Sequence, residues 1–214
     1  MRGENQLLDT GSTGGQLRIA ASDTICRYFL VPYLEKFHKD FPHAHIKVTN
    51  QSSIKCVELL ESGQVDFIVV NCPNSHLSNL YFTKKIGGFK DIFVAGKAFS
   101  SLKNQVITLK ELLNHPILML EKQTTTSEFL HDIFQQHQLD LVPEIEVNSN
   151  DLLLDLAKIG LGIAFVPDYC VPQDNDDLFR VAIKETLPPR ELTIVYNNHI
   201  PVSKATSEFL KYFE

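Results

Sequence analysis

Short apolar runs alternate with amphipathic segments along the chain, and this alternation predicts strands and helices in turn. Short continuous apolar runs are typical of buried strands, whereas apolar residues repeated every three or four positions are typical of helices. Pro32 lies within the first helical segment, so that helix either kinks there or starts late. The first half of the chain is predicted to hold strands at 17–21, 45–50, 65–70, 80–86 and 91–96, with helices from about Asp23 to just before Pro42 and from Lys55 to Gly63.

The order of elements repeats in the second half of the chain. Strands are predicted at 117–120, 144–147 and 162–167, with helices at 129–137 and 152–160. The two halves align at an offset of roughly 100 residues, as a duplicated βαβαβ unit would. The matched pairs are Leu17 with Ile117, Pro42 with Pro143, Ile46 with Ile145, Gly63 with Gly160, and Phe67 with Ala164.

Strands that alternate with helices predict mainly parallel sheets, and two such units predict an α/β fold with two lobes. A final strand at 192–198 and an amphipathic helix at 202–213 are expected to return to the first lobe. We therefore expect two Rossmann-like α/β subdomains around a central cleft. The expected division is a flexible lead-in at 1–16, subdomain I at 17–90 plus 196–214, and subdomain II at 91–195.

The composition argues against several functional classes. The chain of 214 residues has a net charge of −6 and no Lys/Arg-rich run, which argues against this segment itself binding a nucleic-acid backbone. No apolar run is long enough to span a bilayer, and the first residues lack the apolar core of a secretory signal, so no membrane partner is expected. Well-separated cysteines favour reduced core thiols and a cytoplasmic location; they are Cys26, Cys56, Cys72 and Cys170.

Four clusters of polar residues, called here the polar turns, lie where a predicted strand gives way to a helix. In a parallel sheet such turns meet at the carboxyl edge, where ligands bind. Helix N-termini there offer free N–H groups and a partial positive charge, which suit an anion or a carboxylate. The polar turns are Ser22-Asp23-Thr24, Gln51-Ser52-Ser53, Thr124-Thr125-Thr126-Ser127 and Asn148-Ser149-Asn150.

Helix capping is the alternative explanation of the polar turns. Ser, Thr, Asp and Asn are favoured N-caps because a side-chain oxygen accepts a hydrogen bond from an N–H of the first turn. The segment from Thr125 to Glu128 has the pattern of a capping box, and Ser53 or its neighbour precedes an apolar run. Both explanations remain open, because one residue of a turn can cap the helix while the next contacts a ligand.

The sequence carries no recognisable motif for catalysis, a cofactor or a metal. There is no G-x-S-x-G elbow, and nothing supports an acid–base pair. The glycines of the segment 160–165 end a predicted helix instead of opening one, so they do not form a dinucleotide fingerprint. The acidic run 174–177 lacks the rest of a calcium loop, and His43 and His45 lack further ligands. We expect no catalytic residue, no metal and no cofactor.

Four elements of the sequence carry a family resemblance through their order and spacing. They are Gly15 with Leu17-Arg18-Ile19, a helix ending in Phe41-Pro42, the pattern of Leu60, Gly63, Val65 and Asp66 before a strand, and 160–164 before Val166-Pro167. Together they resemble the effector-binding domain of LysR-type transcriptional regulators, over about Gly15 to Phe213.

This resemblance implies a fold like that of the type II periplasmic binding proteins, in a cytoplasmic bacterial regulator. DNA binding would reside in an N-terminal winged helix-turn-helix absent from this chain, with Leu7-Leu8 as the remnant of its linker helix. The resemblance also implies a homo-oligomer, a dimer or a tetramer. Its protomers would associate through antiparallel contacts between the first helix, 25–41, and the second-lobe helix, 152–159.

The resemblance further implies a small-molecule effector in the cleft, and the hydroxyl content is similar to that of members that bind small anions or carboxylates. Lys122, in the polar stretch EKQTTTSE that contains the third polar turn, is the only cation at these turns, and no well-placed arginine is evident. A solute-binding protein of a transport system is the alternative function, and a two-lobed enzyme is a third. The implied contact residues are Ser22, Thr24, Ser52, Ser53, Asn71, Cys72, Thr124, Thr125, Ser149 and Asn150.

Overall fold

The structure is a computed structural model that describes residues 15–172 and 176–214. The expected linker-helix remnant at Leu7-Leu8, the lead-in up to residue 14 and much of the acidic run 174–177 lie outside the described residues. Gln16, which the sequence assigned to the lead-in, already belongs to the first strand.

The described chain contains eleven strands and seven α-helices. The strands are β1 Gln16–Ala21, β2 His45–Asn50, β3 Phe67–Cys72, β4 Phe82–Phe89, β5 Asp91–Gly96, β6 Val106–Ile107, β7 Ile117–Leu120, β8 Ile145–Val147, β9 Ile163–Pro167, β10 Leu178–Ile183 and β11 Arg190–Tyr196. The helices are α1 Asp23–Ile25, α2 Val31–Asp40, α3 Ser53–Glu61, α4 Leu109–Leu112, α5 Thr125–Gln136, α6 Asn150–Lys158 and α7 Lys204–Leu210.

Two sheets organise the chain into two halves, called here the first and the second lobe. The first sheet has the order β2-β1-β3-β11-β4, and the second has the order β6-β10-β5-β9-β7-β8. β1 pairs in parallel with β2 and β3, and β7 pairs in parallel with β8 and β9. The predicted duplication is therefore confirmed, because each lobe contains the same parallel three-stranded unit with its first strand in the middle.

Each sheet is extended by an antiparallel strand at the point where the chain passes between lobes. β5 pairs with β9 in the second sheet, and β11 pairs with β3 and β4 in the first. The sequence placed the second boundary between residues 195 and 196, whereas the whole of Arg190–Tyr196 pairs within the first sheet. The return to the first lobe therefore precedes Arg190, because Leu192, Ile194 and Val195 are buried in the first lobe.

The first helical segment runs through three successive geometries. α1 is followed by a π-helical stretch, Cys26–Leu30, and then by α2, whose first turn contains Pro32. Proline lacks the N–H that an α-helix interior requires, and it fits best in a first turn. The chain therefore accommodates Pro32 by a local change of helix type, and the helical path still begins at Asp23 as expected.

The last helix packs against the first lobe, as the sequence predicted. The ring of Phe209 lies 5.7 Å from that of Phe67 and 5.4 Å from that of Phe37. The Thr206 hydroxyl donates to Asp66 Oδ2 at 2.8 Å, and Arg18 Nη2 lies 2.6 Å from Asp66 Oδ1. Arg18 and Asp66, two residues of the family pattern, thus hold α7 against β1 and the start of β3.

Several short elements of the second lobe were not predicted. They are β6, α4, β10 and the 3₁₀ segment Lys97–Leu102. Elements of two to six residues are too short to establish a periodic pattern, and contacts with the rest of the sheet decide their conformation. The capping box of the chain also lies here, between Thr108 and Glu111.

The glycines of the segment 160–165 have structural roles. Gly160 follows α6 with φ of +83°, a conformation that side chains other than glycine rarely adopt. A Cβ on Gly162 would lie 2.6 Å from the carbonyl oxygen of Pro116, closer than any side chain tolerates. A helix ending and a close approach of two backbones therefore account for both residues.

We expect Gly162→Ala to lower the free energy of unfolding by about 1 to 3 kcal/mol, because the added methyl group overpacks a buried strand. Urea unfolding followed by circular dichroism measures the change. Gly88→Ala is the matched control, since the nearest atom to its Cβ would be the carbonyl oxygen of Arg190 at 3.8 Å. Equal stability of Gly162→Ala and the wild type would contradict the explanation.

One buried ion pair joins the two passages of the chain between lobes. Arg190 is the first residue of β11, and Asp91 is the first residue of β5. Nη1 of Arg190 lies 3.1 Å from Oδ2 of Asp91. Both side chains are fully buried. Breaking a buried pair leaves an uncompensated charge, which is far more costly than losing an exposed pair.

Arg190→Met is therefore expected to lower the free energy of unfolding by about 3 to 5 kcal/mol. The double variant Arg190→Met/Asp91→Asn, which leaves no buried charge, is expected to recover much of this loss. Glu191→Gln is the control in the same strand; it removes the exposed pair with Lys85 and should cost at most about 1 kcal/mol. If Arg190→Met and Glu191→Gln were equally stable in urea, the buried pair would not be the stabilising contact.

Candidate functional site

The polar turns of both lobes open onto a single central cavity of about 330 Å³. It lies beyond the carboxyl ends of the parallel strands, where the sequence placed the cleft. Cys72 does not line the cavity although Asn71 does, because successive side chains of a strand point to opposite faces. The other predicted contact residues all line it: Ser22, Thr24, Ser52, Ser53, Asn71, Thr124, Thr125, Ser149 and Asn150.

One residue of each polar turn caps the helix that follows. In every case a hydroxyl oxygen accepts a hydrogen bond from the backbone N–H three residues later, at 3.1 to 3.3 Å. The capping residues are Ser22, Ser52, Thr124 and Ser149.

The predicted capping box from Thr125 to Glu128 is wrong. Thr124 is the N-cap, with extended backbone angles of φ −120° and ψ 147°, and its partner three residues on is Ser127, which has no carboxylate to reach back. Thr125 is the first helical residue, so its hydroxyl is available for another contact.

The neighbouring hydroxyls of the polar turns accept hydrogen bonds from other parts of the protein. Ser53 Oγ accepts from the N–H of Asn71 at 3.1 Å, and Thr24 Oγ1 accepts from Asn150 Nδ2 at 2.9 Å. These oxygens are therefore already engaged as acceptors, while each hydroxyl keeps one proton to donate. The Thr24 to Asn150 bond also joins the two lobes at the cavity.

Arg190, which the sequence analysis did not identify, contacts two threonines of the cavity wall. Its Nη2 lies 3.0 Å from Thr125 Oγ1 and its Nη1 lies 3.1 Å from Thr126 Oγ1. The guanidinium lies behind the cavity wall and is completely buried. Its only sequence signal is an arginine that opens an apolar strand, and the threonines lie 64 and 65 residues earlier in the chain.

Two buried amide oxygens at the cavity have no partner. They are Oδ1 of Asn71, from the first lobe, and Oδ1 of Asn150, from the second. Both side chains line the cavity and are at least nine-tenths buried. Buried polar atoms are nearly always hydrogen-bonded, so these two oxygens mark positions where a ligand or water donates.

Charged groups at the cavity carry both signs. Lys55, and not Lys122, supplies the cation that lines it, with Nζ 2.8 Å from Glu58. Asp23 and Glu121 are the lining carboxylates. The helix N-termini and the hydroxyl protons add donors near the walls, so an anionic group is best accommodated there, away from the two carboxylates.

Three polar contacts outside the cavity also bridge the lobes. Asp151 accepts hydrogen bonds from Arg27 at 2.8 Å and from the Tyr28 hydroxyl at 2.7 Å. Partial burial, followed by the hydrogen bond to Asp151, raises the pKa of Tyr28 to about 12. His76 Nε2 lies 3.0 Å from Glu128 Oε1.

The cysteines are reduced, and three of them are core residues as predicted: Cys26, Cys56 and Cys170. Burial raises the pKa of Cys26 to about 11 and that of Cys56 to about 12, so both are neutral thiols near pH 7.

Among residues 15–172 and 176–214, no three His, Cys, Asp or Glu side chains are grouped as metal ligands would be. None of the helices in these ranges has the length and apolar character needed to cross a bilayer.

The capping role gives a stability prediction that does not depend on any ligand. Ser52→Ala is expected to lower the free energy of unfolding by about 1 kcal/mol, and Ser52→Asn is expected to retain it, because asparagine also caps well. Ser207→Ala, inside α7 on an exposed face, is the control and should be neutral or slightly stabilising. A Ser52→Ala variant as stable as Ser207→Ala in urea would contradict the cap.

Comparison with known proteins assigns the chain to a family. The sequence profile described as "LysR substrate binding domain" matches residues 10–214. The chain therefore belongs to the LysR substrate binding domain family, as the resemblance indicated.

The chain is similar to curated regulators across most of its length. It is 24% identical over 207 residues to the HTH-type transcriptional activator CmpR of Synechocystis sp., covering 94% of this chain and 66% of CmpR. It is 24% identical over 207 residues to the HTH-type transcriptional regulator AlsR of Bacillus subtilis, covering 95% of this chain and 65% of AlsR. The chain thus spans just under two thirds of the length of these relatives.

Solved structures show the same fold. The Synechocystis PCC6803 CcmR regulatory domain in complex with 2-PG superposes with a TM-score of 0.82 at 19% identity, covering 93% of this chain and 95% of that domain. The two sheets around a cleft are thus those of the type II periplasmic-binding-protein-like fold, and this expectation is confirmed.

Proposed function

We propose that this chain is the sensor domain of a bacterial LysR-type transcription factor and that it binds a small anion or carboxylate in the central cavity. One observation carries the proposal: four helix N-termini, two from each lobe, open onto one cavity, and the hydroxyls of Thr24, Ser53 and Thr125 there keep protons to donate. Donors that converge on one cavity favour an anionic ligand, placed away from the carboxylates of Asp23 and Glu121.

The comparisons support this proposal. The curated relatives are transcriptional regulators by name, and the CcmR regulatory domain was solved with 2-PG bound. The unpartnered oxygens of Asn71 and Asn150 suit a ligand that also carries a hydrogen-bond donor, such as a hydroxyl group. We propose all nine predicted residues at the cavity wall as candidates for contact.

In this proposal the ligand acts by favouring one arrangement of the lobes. A ligand shifts such an equilibrium only when its affinity differs between the two states, and contacts to both lobes provide that difference. A DNA-binding winged helix-turn-helix would lie in the part of the regulator outside this match. The whole regulator would act in the cytoplasm, where its cysteines stay reduced.

Self-association is part of the proposal. Apolar side chains are exposed on the first helical segment, among them Tyr28 and Val31, and on and after α6, among them Leu152 and Ile159. An exposed apolar surface of this kind is typical of interaction sites. We propose that these helices pair between protomers, in a dimer or a tetramer.

The transport-type alternative is not favoured, because the curated relatives are regulators.

Thermal-shift and calorimetric titrations test the ligand proposal. The probes are 2-PG, inorganic phosphate, glycolate and other small hydroxycarboxylates, with glycerol and glucose as neutral controls. A ligand at 100 times its Kd stabilises the folded state by about 2.7 kcal/mol, so the unfolding midpoint should rise with the concentration of an anionic probe. Thr125→Val should lose this response, and the surface variant Ser207→Ala should keep it. A wild-type chain that responds to no anion at millimolar concentration would contradict the proposal.

A further inference from the structure

We propose that Arg190, although it lies outside the cavity, determines the selectivity of the second-lobe wall for anions. It does so by fixing the hydroxyl protons of Thr125 and Thr126. This inference rests on the proposed function, since it concerns how the same cavity recognises its ligand. Arg190 is a positioning residue here, because it acts through the threonines and does not contact the ligand.

The guanidinium is held in one orientation from several sides. Asp91 Oδ2 lies 3.1 Å from Nη1, and the rings of Phe89 and Phe129 lie 5.4 and 4.9 Å from the central carbon. With the side chain fully buried, its planar group has little freedom to rotate. The two N–H groups aimed at Thr125 and Thr126 are therefore fixed in direction.

A guanidinium donates hydrogen bonds and cannot accept them. Thr125 Oγ1 and Thr126 Oγ1 must therefore act as acceptors toward Arg190. Each hydroxyl has a single proton, and within the described residues neither donates to a protein acceptor. Both threonines line the cavity, so the protons are left to a ligand there. This part of the wall thus offers hydrogen-bond donors. An oxyanion can accept these hydrogen bonds, whereas an amide N–H cannot because it is itself a donor.

The same contact links recognition to the arrangement of the lobes. Arg190 belongs to a strand of the first sheet, whereas Thr125 and Thr126 begin a helix of the second lobe. The hydroxyl protons are directed in this way only while the two lobes keep this contact. An anion that uses these protons therefore favours this arrangement over any in which α5 moves away from β11.

Lysine cannot replace arginine in this role. An ammonium group keeps the positive charge, but its compact head cannot reproduce the planar fork that bonds two threonines and a carboxylate at once. Arg190→Lys therefore separates positioning from charge. Thr125→Val removes the hydroxyl with little change of shape, and Thr125→Ser keeps the hydroxyl.

The experiment is a double-mutant cycle read by calorimetric titration with 2-PG, inorganic phosphate and glycolate, at a temperature where circular dichroism shows each variant folded. The variants are Arg190→Lys, Thr125→Val, their combination and Thr125→Ser, with Glu191→Gln as the control. We expect Kd to rise about tenfold or more in Arg190→Lys and in Thr125→Val, since a hydrogen bond to a charged ligand is lost. Thr125→Ser and Glu191→Gln should stay within about threefold of the wild type.

The double variant distinguishes positioning from a general structural effect. If Arg190 acts through the Thr125 hydroxyl, the combined variant binds no more than about threefold more weakly than Arg190→Lys alone, because the same interaction is already lost. Additive losses, or an unchanged Kd in folded Arg190→Lys, would overturn the inference. If Arg190→Lys does not fold, the two Thr125 variants provide the test. Equal Kd values for Thr125→Val and Thr125→Ser would overturn the inference. A wild-type chain that binds none of the three anions would overturn the proposed function itself.

Discussion

The guanidinium of Arg190 and the carboxylate of Asp91 are paired and removed from water. The pair lies where the chain passes from one lobe to the other. Removing either charge from water is costly unless the other is close, and burial raises the pKa of Asp91 even though Arg190 opposes the shift. Each group therefore requires the other in place. Because the pair occupies the first residues of β5 and β11, this requirement also sets how the two sheets meet.

The hydroxyls of the cavity walls make two kinds of contact within the fold. In each polar turn one hydroxyl caps a helix, and in three of them the next hydroxyl accepts from a buried donor elsewhere in the fold. Capping and the proposed ligand contact, which the sequence left as alternatives, are compatible because different residues of one turn are available for each. In these three turns the scaffold thus uses the second hydroxyl as an acceptor and leaves its proton available.

The sequence predicted the duplicated unit well because its strands are buried on both faces and leave an unbroken apolar run, as in 117–120 and 163–167. It did not reveal Arg190, whose role depends on Asp91, 99 residues away. It placed the cap at Thr125 instead of Thr124 because the two residues are both threonine. Backbone angles, which the sequence does not show, decide which of them is the cap. Local patterns thus located the cavity, while contacts distant in sequence decided its chemistry.

The position of β11 between β3 and β4 has a consequence for biosynthesis. Within the first sheet β4 pairs with β11 and with no other strand, so β4 has no sheet partner until residues 190–196 have been made. A chain that emerges from the ribosome can assemble the second lobe while the first still lacks a strand. The lobe that is synthesised first is therefore completed last, and the cleft forms only once nearly the whole chain has been translated.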